Sequence, residues 1–322
     1  MKGFKALKNG TICKGKKYEE NIVLDKETEG LDICEMDFFK DPLDVLNYHF
    51  LLGDNGDFTE IVEAETDDND IVSIDMDIIH TRKMKIGRKL SFEEFMEASI
   101  NSLLKESGEL RNLEKNPLNE DSNRIGSSDD DNLIRSIAES ARIGSSGNGT
   151  EIISYGDFAR IISSGGSVNI TSAGMNSVIG STGNGALIIN AGHYVRIGSS
   201  GNNTTVNSSG RNVMINSTGK NAKVNSSGYH AKITCSGNYA WVNSIGDDAR
   251  IRSVGNQSVI SCVGNNSAVS AKKGSWITFS KWKNIDGEKM PICVKTEYVD
   301  GVRIKEDVFY TLRDGEFVEV MD

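Results

Sequence analysis

The chain has 322 residues, of which 37% are hydrophobic and 25% are charged, and these proportions favour a folded protein over a disordered one. Three prolines exclude a proline-rich linker protein, and 33 glycines are too few for a collagen-like chain. The net charge of -10 is unevenly spread. Residues 1–122 carry 16 Lys and Arg against 28 Asp and Glu, residues 123–283 carry 15 against 8, and residues 284–322 carry 5 against 10. The N-terminal and C-terminal regions are therefore acidic, and the region between them is basic.

Residues 1–108 are expected to form a small α+β head domain. Polar and apolar residues alternate in residues 58–64 and 71–76, which predicts two strands that are exposed on one face. The pair Asp41-Pro42 predicts the start of a helix, because it places an N-capping acid before a proline at the first helical position.

A second helix is predicted to begin at Ser91, because Ser91 and Glu94 have the spacing of a capping box. An apolar stripe follows and ends before Gly108. Residues 109–122 are polar and charged, and we interpret them as a linker between the head and the body of the protein.

Residues 123–272 carry a nine-residue repeat that decides the fold. Glycine recurs every ninth residue from Gly147 to Gly264, and a β-branched residue recurs every ninth residue from Ile125 to Val269. Each unit alternates as a short strand and ends in Ser, Gly and Asn, residues typical of a turn in which glycine and asparagine accept positive φ. Such units are stable only when stacked as coils of a β-solenoid.

A longer period indicates two units per coil. Glycine at the fourth position of the unit recurs at Gly126, Gly144, Gly180 and Gly198, all separated by multiples of eighteen, and bulky corners alternate with small ones. The sequence therefore predicts a mainly β protein, a two-sided β-solenoid (β-helix) of about eight 18-residue coils. A triangular coil of three units is the alternative, and the eighteen-residue signal speaks against it.

Residues 273–322 are expected to cap the solenoid and then form a β-hairpin module. Trp276, Phe279 and Trp282 would close the thin apolar core. One hairpin is predicted from residues 294–298 and 302–304, and another from residues 309–312 and 317–320, with Asp-Gly turns between the strands.

Three stretches of the chain together resemble a known family. They are Lys2-Gly3-Phe4-Lys5, the segment from Cys34 through Pro42-Leu43-Asp44-Val45-Leu46-Asn47-Tyr48, and Lys85-Ile86-Gly87-Arg88. The family consists of uncharacterised phage and prophage proteins with an N-terminal domain of unknown function followed by nonapeptide repeats. The resemblance covers head, repeats and tail, and it implies a phage or prophage origin and no established activity. Members usually carry Gly-Phe-His-Ala-Cys before the Pro-Leu-Asp segment, whereas this chain has Asp37-Phe38-Phe39-Lys40-Asp41, so no function that rests on that histidine is expected.

The first candidate binding surface is a basic ladder on one solenoid face. The second position of alternate units carries the six cations Arg124, Arg142, Arg160, Arg196, Lys232 and Arg250. Stacked like charges repel one another, so an anionic partner such as nucleic acid, a phosphate-bearing ligand or an acidic protein surface would neutralise them. Water, salt and the interleaved Gly and Asn residues would also suffice.

The second candidate is a row of large corner residues, which we call the corner row. It consists of Tyr155, Phe158, His193, Tyr194, Arg211, Tyr229 and His230. Aromatic and histidine side chains at a surface can bind a protein or a sugar, and they can equally support the acidic head. Ice binding is not expected, because it needs a flat threonine ladder and the outward positions are mixed and charged.

The sequence predicts no metal site, no cofactor site and no group of catalytic residues. The histidines lack ligand spacing, and the acidic runs at residues 54–57 and 67–70 are interpreted as solvated turns, because no EF-hand glutamate follows them. Five cysteines without a CxxC pair argue against a disulfide framework, and Cys235 and Cys262 are expected to be buried thiols. No segment approaches 18 apolar residues and the N-terminus lacks a signal peptide, so we expect a cytoplasmic protein that does not enter membranes.

Two function classes follow. The first is a non-enzymatic phage interaction protein, a rigid rod that presents a basic face and serves either to inhibit a host defence or nucleic-acid-handling protein or as a virion component. The alternative is a nucleotide-using transferase in the head, with the solenoid as targeting body, based on a loose similarity of residues 38–48 to nucleotide-transferase heads. A homodimer through repeat edges is also open.

Overall fold

A computed structural model describes residues 1–8, 10–13, 15–32, 35–53, 56–111, 124–285 and 287–321, and of residues 106–111 only the backbone. The larger part of the predicted linker, together with Cys34, Asp54 and Asn55, lies outside the described residues. Within them the chain is mainly β, with an α+β head, a solenoid and a C-terminal hairpin region, as predicted.

The head is built on a seven-stranded antiparallel sheet. Its strands and helices are β1 (Lys2–Ala6), β2 (Thr11–Cys13), β3 (Lys16–Lys17), β4 (Val23–Asp25), α1 (Lys26–Glu29), β5 (Asp37–Phe39), α2 (Val45–Tyr48), β6 (Ile61–Glu65), β7 (Ile71–Asp75), β8 (Ile78–Thr81), β9 (Lys83–Leu90) and α3 (Phe92–Arg111). The strand order is β4-β9-β6-β1-β5-β8-β7, and β2 and β3 form a separate hairpin.

Helix α3 begins where the capping box predicts. The backbone N–H of Ser91 donates to Glu94 Oε2 at 2.8 Å, and the backbone N–H of Glu94 donates to Ser91 Oγ at 3.2 Å. The helix continues past the apolar stripe, through Gly108 to Arg111.

The helix predicted at Asp41-Pro42 is a 3₁₀ turn followed by a single α-helical turn. Asp41 caps it as expected, since its carboxylate accepts the backbone N–H of Leu43 at 2.8 Å. The 3₁₀ segment covers Pro42–Asp44 and continues into α2. This short segment faces the solenoid.

The solenoid consists of nine coils of two strands each, one more than expected. The first sheet contains β10 (Arg124–Ser127), β12 (Arg142–Ser145), β14 (Arg160–Ser163), β16 (Val178–Ser181), β18 (Arg196–Ser199), β20 (Met214–Ser217), β22 (Lys232–Cys235), β24 (Arg250–Ser253) and β26 (Ala268–Ala271). The second contains β11 (Leu133–Ser136), β13 (Glu151–Ser154), β15 (Asn169–Ser172), β17 (Leu187–Asn190), β19 (Thr205–Ser208), β21 (Lys223–Ser226), β23 (Trp241–Ser244), β25 (Val259–Cys262) and β27 (Trp276–Ile285).

Parallel neighbours in each sheet are eighteen residues apart over nearly the whole solenoid. Ile143, for example, pairs with Ile161, and Val224 pairs with Val242. The β-branched column points inward and is almost wholly buried, and the Ser column two residues later is buried beside it. The two-strand coil is therefore confirmed.

The glycine column exists for a different reason from the one predicted. The column glycines have ordinary φ values, but a Cβ atom on Gly201 would lie 1.9 Å from the carbonyl oxygen of Gly183, one coil earlier. The same clash recurs along the column. Glycine is needed because two coils meet there, backbone against backbone.

Positive φ occurs two residues after each column glycine. Examples are Gly149 at 66°, Asn203 at 56° and Asn221 at 57°. This left-handed residue turns its N–H toward the next coil, as when Gly149 donates to the carbonyl of Gly166 at 2.9 Å. The corner hydrogen bonds between coils therefore depend on it.

The C-terminal region closes the solenoid with antiparallel strands. Strand β28 (Glu288–Tyr298) pairs with β27, and β29 (Phe309–Arg313) pairs with both β26 and β30 (Glu316–Val320). Phe279 is buried at the end of the apolar core, 5.0 Å from the ring of Phe317, which fits the predicted aromatic cap. Trp276 does not belong to that cap, since its side chain is exposed on the second sheet.

One predicted hairpin is wrong. Residues 302–304 form no strand, because the carboxylate of Asp300 accepts the backbone N–H groups of Val302, Arg303 and Ile304 and holds them in a turn. Residues 294–298 pair with β27 instead. The second predicted hairpin, β29 with β30, is present.

Replacing Gly165 by alanine is expected to lower the free energy of unfolding by more than about 3 kcal/mol, because the new methyl group would lie 1.9 Å from the carbonyl oxygen of Gly147. The adjacent Gly166→Ala is the matched control, since its Cβ would meet nothing nearer than Asn148 Oδ1 at 3.2 Å, and we expect a loss below about 1 kcal/mol. Urea denaturation followed by circular dichroism measures both. Equal losses would contradict the backbone-contact explanation.

Cys235 and Cys262 are expected to resist alkylation in the folded protein. Both are fully buried, and burial raises the pKa of each thiol to about 12, so neither forms the reactive thiolate near neutral pH. The half-buried Cys293 should react before either of them. Iodoacetamide labelling with peptide mass spectrometry, before and after urea unfolding, tests this; native labelling of Cys235 as fast as that of Cys293 would contradict it.

Candidate functional site

The six cations of the basic ladder do stand in one column of the first sheet. Arg142 pairs in register with Arg124 and Arg160, and Lys232 pairs with Arg250. The structure also shows what neutralises much of this column, because both the head and the tail of the same chain contact it.

The head supplies carboxylates and a carbonyl to the first three arginines. Arg142 is 8% exposed and forms an ion pair with Asp44, which is 4% exposed. Arg124 Nη1 lies 3.9 Å from an Asp41 carboxylate oxygen. Arg160 Nη2 donates to the carbonyl of Leu46 at 3.4 Å.

Burial changes the acidity of these groups. Loss of water raises the pKa of Asp44, and the neighbouring Arg142 opposes that rise. Burial, together with the positive charge of Arg142, lowers the pKa of Arg160 to about 10. Arg160 remains charged at neutral pH, so the cluster pairs buried cations with buried anions.

Aromatic rings cover two further members of the ladder. The guanidinium of Arg196 lies 3.5 Å from the ring centroid of Phe50 in the head. Arg250 lies 3.9 Å from the ring centroid of Phe309 in the tail and donates to the carbonyl of Met321 at 3.3 Å. Partners within the chain therefore accompany Arg124, Arg142, Arg160, Arg196 and Arg250, and an external anion is not needed to explain the ladder.

Outward glycines make room for the head, a role that was not predicted for them. A Cβ on Gly144 would lie 2.8 Å from Leu103, and one on Gly180 would lie 2.1 Å from Met96, both on α3. A Cβ on Gly198 would meet the rings of Phe58 and Phe92. The eighteen-residue glycine signal thus marks the groove in which α3 lies.

The head and solenoid share one apolar cluster across this contact. Phe95, Met96 and Ile100 of α3 pack with Ile162 and Val178 of the first sheet. An additional hydrogen bond joins Asn216 Nδ2 to the carbonyl of Gly56 at 2.7 Å. Buried apolar area therefore holds the head in place, and the charge pairs fix its register.

The corner row is exposed along one edge of the solenoid, and several of its members have structural roles. His193 Nδ1 accepts the backbone N–H of Arg211 at 3.0 Å, and the Arg211 guanidinium lies 5.5 Å from the ring centroid of Tyr229. Phe158, Tyr194 and His230 occupy the left-handed corner position. Tyr155 is 59% exposed.

Residues 38–48, on which the transferase alternative depends, are used for packing. Phe38, Leu43 and Val45 are fully buried, and Asp44 pairs with Arg142. The exposed Tyr48 stacks on Phe39, with ring centroids 5.3 Å apart.

A cavity of about 380 Å³ lies in the head and is lined by two of the three stretches that carry the family resemblance. Lys2, Gly3, Phe4, Lys85, Gly87 and Arg88 line it together with Glu20, Asn21, Glu63, Ala64 and Glu65. Acidic and basic groups balance here, and Arg88 Nε lies 3.3 Å from a Glu63 carboxylate oxygen. This cavity therefore offers no net charge to an anionic nucleotide.

One surface was not predicted from the sequence. We call it the neutral face. It consists of the outward positions of β17, β19, β21, β23 and β25, and of those in residues 276–278 of β27 and 296–298 of β28: Leu187, Ile189, Thr205, Asn207, Lys223, Asn225, Trp241, Asn243, Val259, Ser261, Trp276, Thr278, Thr296 and Tyr298. Lys223 is the single charged residue in this set. These outward positions are mixed, as expected, but they carry less charge than the outward positions of β11 and β13, where Arg135 and Glu151 are exposed.

Large side chains on the neutral face are open to solvent. Trp241 is 58% exposed, Trp276 is 48% exposed, and Val259 lies between them in the same column. The ring of Trp276 lies 5.1 Å from that of Tyr298. Beside them, Asn225 Nδ2 donates to Asn207 Oδ1 at 2.8 Å, and Asn243 Nδ2 donates to Asn225 Oδ1 at 2.9 Å.

Comparison with known proteins finds a similarity for the head alone. Residues 1–98 match the family model described as a domain of unknown function (DUF7666). The match ends within α3 and does not include the solenoid. No curated protein and no solved structure matches the chain.

Among the described residues, no group of three or more His, Cys, Asp or Glu side chains is arranged to hold a metal ion. In the same part of the chain, every helix is too short or too polar to cross a bilayer.

Replacing Arg142 by alanine is expected to lower the free energy of unfolding by about 3–5 kcal/mol at pH 7, because Asp44 would remain buried without its counterion. Without Arg142 the pKa of Asp44 in the folded state lies above its unfolded value, so the folded state binds the extra proton and is favoured at low pH. The difference in free energy of unfolding between the unmodified protein and the Arg142→Ala variant should therefore become smaller as pH falls from about 7 to about 4.

Denaturation curves of both proteins at the two pH values measure this, and Arg135→Ala is the matched control. Arg135 is exposed on the second sheet, and its replacement should change stability by less than about 0.5 kcal/mol. An Arg142→Ala penalty that grows toward acid pH would contradict the ion-pair interpretation. Because Arg142 is buried against Asp44, replacing it by glutamate is expected to disrupt folding. At this position the ladder is therefore not a surface open to an external partner, contrary to the expectation from the sequence.

Proposed function

We propose that this chain is a non-enzymatic binding protein of phage or prophage origin, whose solenoid presents the neutral face to a partner. The observation that carries the proposal is the contrast between the two sheets. Head and tail cover much of the first sheet, whereas the neutral face of the second exposes large aromatic side chains next to an amide ladder, with one charge among the residues that define it. Exposed contiguous apolar surface of this kind typically marks an interaction site.

Rigidity supports this proposal. The neutral face lies on consecutive parallel strands in continuous register, each hydrogen-bonded to the coil before and after it. Side chains on such a scaffold are held in position before a partner arrives, which lowers the entropy lost on binding. The corner row lies along an edge of the same solenoid and would extend the contact area.

The phage or prophage origin rests on the resemblance of the head and on the solenoid that follows it. A role in the host cytoplasm, as an inhibitor of a host protein, and a role in the virion are both compatible with a rigid binding rod. The transferase alternative is less well supported, because Phe39, Leu43, Val45 and Leu46 pack in the cluster shared by head and solenoid and Asp44 pairs with Arg142.

A photo-crosslinking experiment tests the binding face. A benzophenone amino acid replaces Ser261 in the neutral face of one variant and Arg135, on the same sheet but outside that face, in the control. After irradiation with bacterial lysate and cell-envelope fractions, we expect a saturable crosslinked species from the Ser261 variant alone. Equal labelling at both positions, or none at either, would overturn the proposal.

A further inference from the structure

We propose that the neutral face binds an uncharged polysaccharide lying along the solenoid axis. This inference rests on the proposed function, because it names the ligand class of the same face.

Aromatic rings provide the stacking surfaces. Trp241, Val259, Trp276 and Tyr298 form one continuous column across four neighbouring strands. The negative face of an aromatic ring attracts the polarised C–H groups that line the apolar face of a sugar ring. Trp241 and Trp276 are separated by two coils, about 9.6 Å at about 4.8 Å per coil, so they can contact different sugar units of one chain.

The amide ladder provides the polar contacts. Within Asn207, Asn225 and Asn243, each ladder hydrogen bond uses one N–H of one amide and one lone pair of the next. Asn225, in the middle, therefore keeps one N–H donor and one acceptor lone pair for a ligand. A sugar hydroxyl is both donor and acceptor, and it matches such a pair of groups.

A groove gives the direction of the polymer. An open depression of about 360 Å³ is lined by the three asparagines of the ladder and, among others, by Ile189 and Ile245. These residues belong to successive coils, so the depression crosses the strands and runs along the solenoid axis. A linear chain lying in it would contact one amide per coil.

The low charge of the neutral face favours an uncharged polymer over the charged polymers that also stack on aromatic rings. Nucleic acids and acidic glycans require cations, and Lys223 is the one cation among the residues of the neutral face. On the opposite sheet, Arg142 and Arg196 are engaged by the head and Arg250 by the tail. An uncharged polyhydroxylated chain needs none of them.

The test uses the full chain in affinity electrophoresis through gels that contain dextran, laminarin, galactomannan or xylan, with heparin as a polyanion. We expect at least one neutral polysaccharide to retard the protein, with retardation unchanged between about 0.05 and about 0.5 M NaCl because no charge is neutralised. The double variant Trp241→Ala, Trp276→Ala should bind at least about tenfold more weakly.

Tyr239→Asn is the matched control. Tyr239 is an exposed aromatic residue at a corner outside the neutral face, and asparagine tolerates its left-handed backbone, so binding should be retained. Circular dichroism and urea denaturation establish that both variants fold, which separates lost binding from lost structure.

The outcomes distinguish the inference from the function on which it rests. Retardation by heparin alone, or by no polysaccharide, overturns the polysaccharide inference. If the Ser261 crosslinker then captures a protein or lipid, the neutral face is still a binding surface and only its ligand class was misassigned. If neither experiment detects a ligand, both the inference and the proposed function fail.

Discussion

The contact between the backbones of successive coils is the constraint on which the rest of the structure depends. At each corner a carbonyl oxygen occupies the space that a Cβ atom would need one coil later, so Gly201 and its equivalents cannot be replaced without moving the coils apart. This contact keeps consecutive coils in the same register, and the register aligns every column of side chains. The arginine ladder, the glycine groove for α3 and the asparagine ladder all result from it.

The two sheets use this alignment in opposite ways. On the first sheet, stacked arginines create repulsion that Asp44, Asp41 and the aromatic rings of head and tail relieve. A buried pair of this kind adds little net stability, but it penalises any docking of the head in another register. On the second sheet the stacked groups attract one another through amide hydrogen bonds and need no partner to be stable.

The solenoid could be predicted because its residue pattern repeats along the sequence. The contact between head and solenoid is made by residues that follow no repeating pattern. Ile143 and its equivalents identify the coil by spacing alone, and Ser91 with Glu94 identifies the start of α3 from four residues. The pairing of Asp44 with Arg142 joins residues 98 positions apart, and no local rule connects them. The glycines at 144, 180 and 198 were noticed for their spacing, but their role as clearance for α3 required knowing where α3 lies. The turn after Asp300 was missed because a carboxylate that binds three backbone N–H groups looks, in sequence, like an ordinary hairpin turn.

The alternation of two unlike sheets also limits how such a chain can change length during evolution. An insertion of eighteen residues would add a complete coil and leave every downstream column on its original side. An insertion of nine after the coils that contact the head would move each later strand, and the tail with them, to the opposite sheet, so that Trp241 would turn toward the side on which the head lies. Lengthening by pairs of units beyond the region covered by the head would extend the neutral face while leaving the docking of α3 untouched.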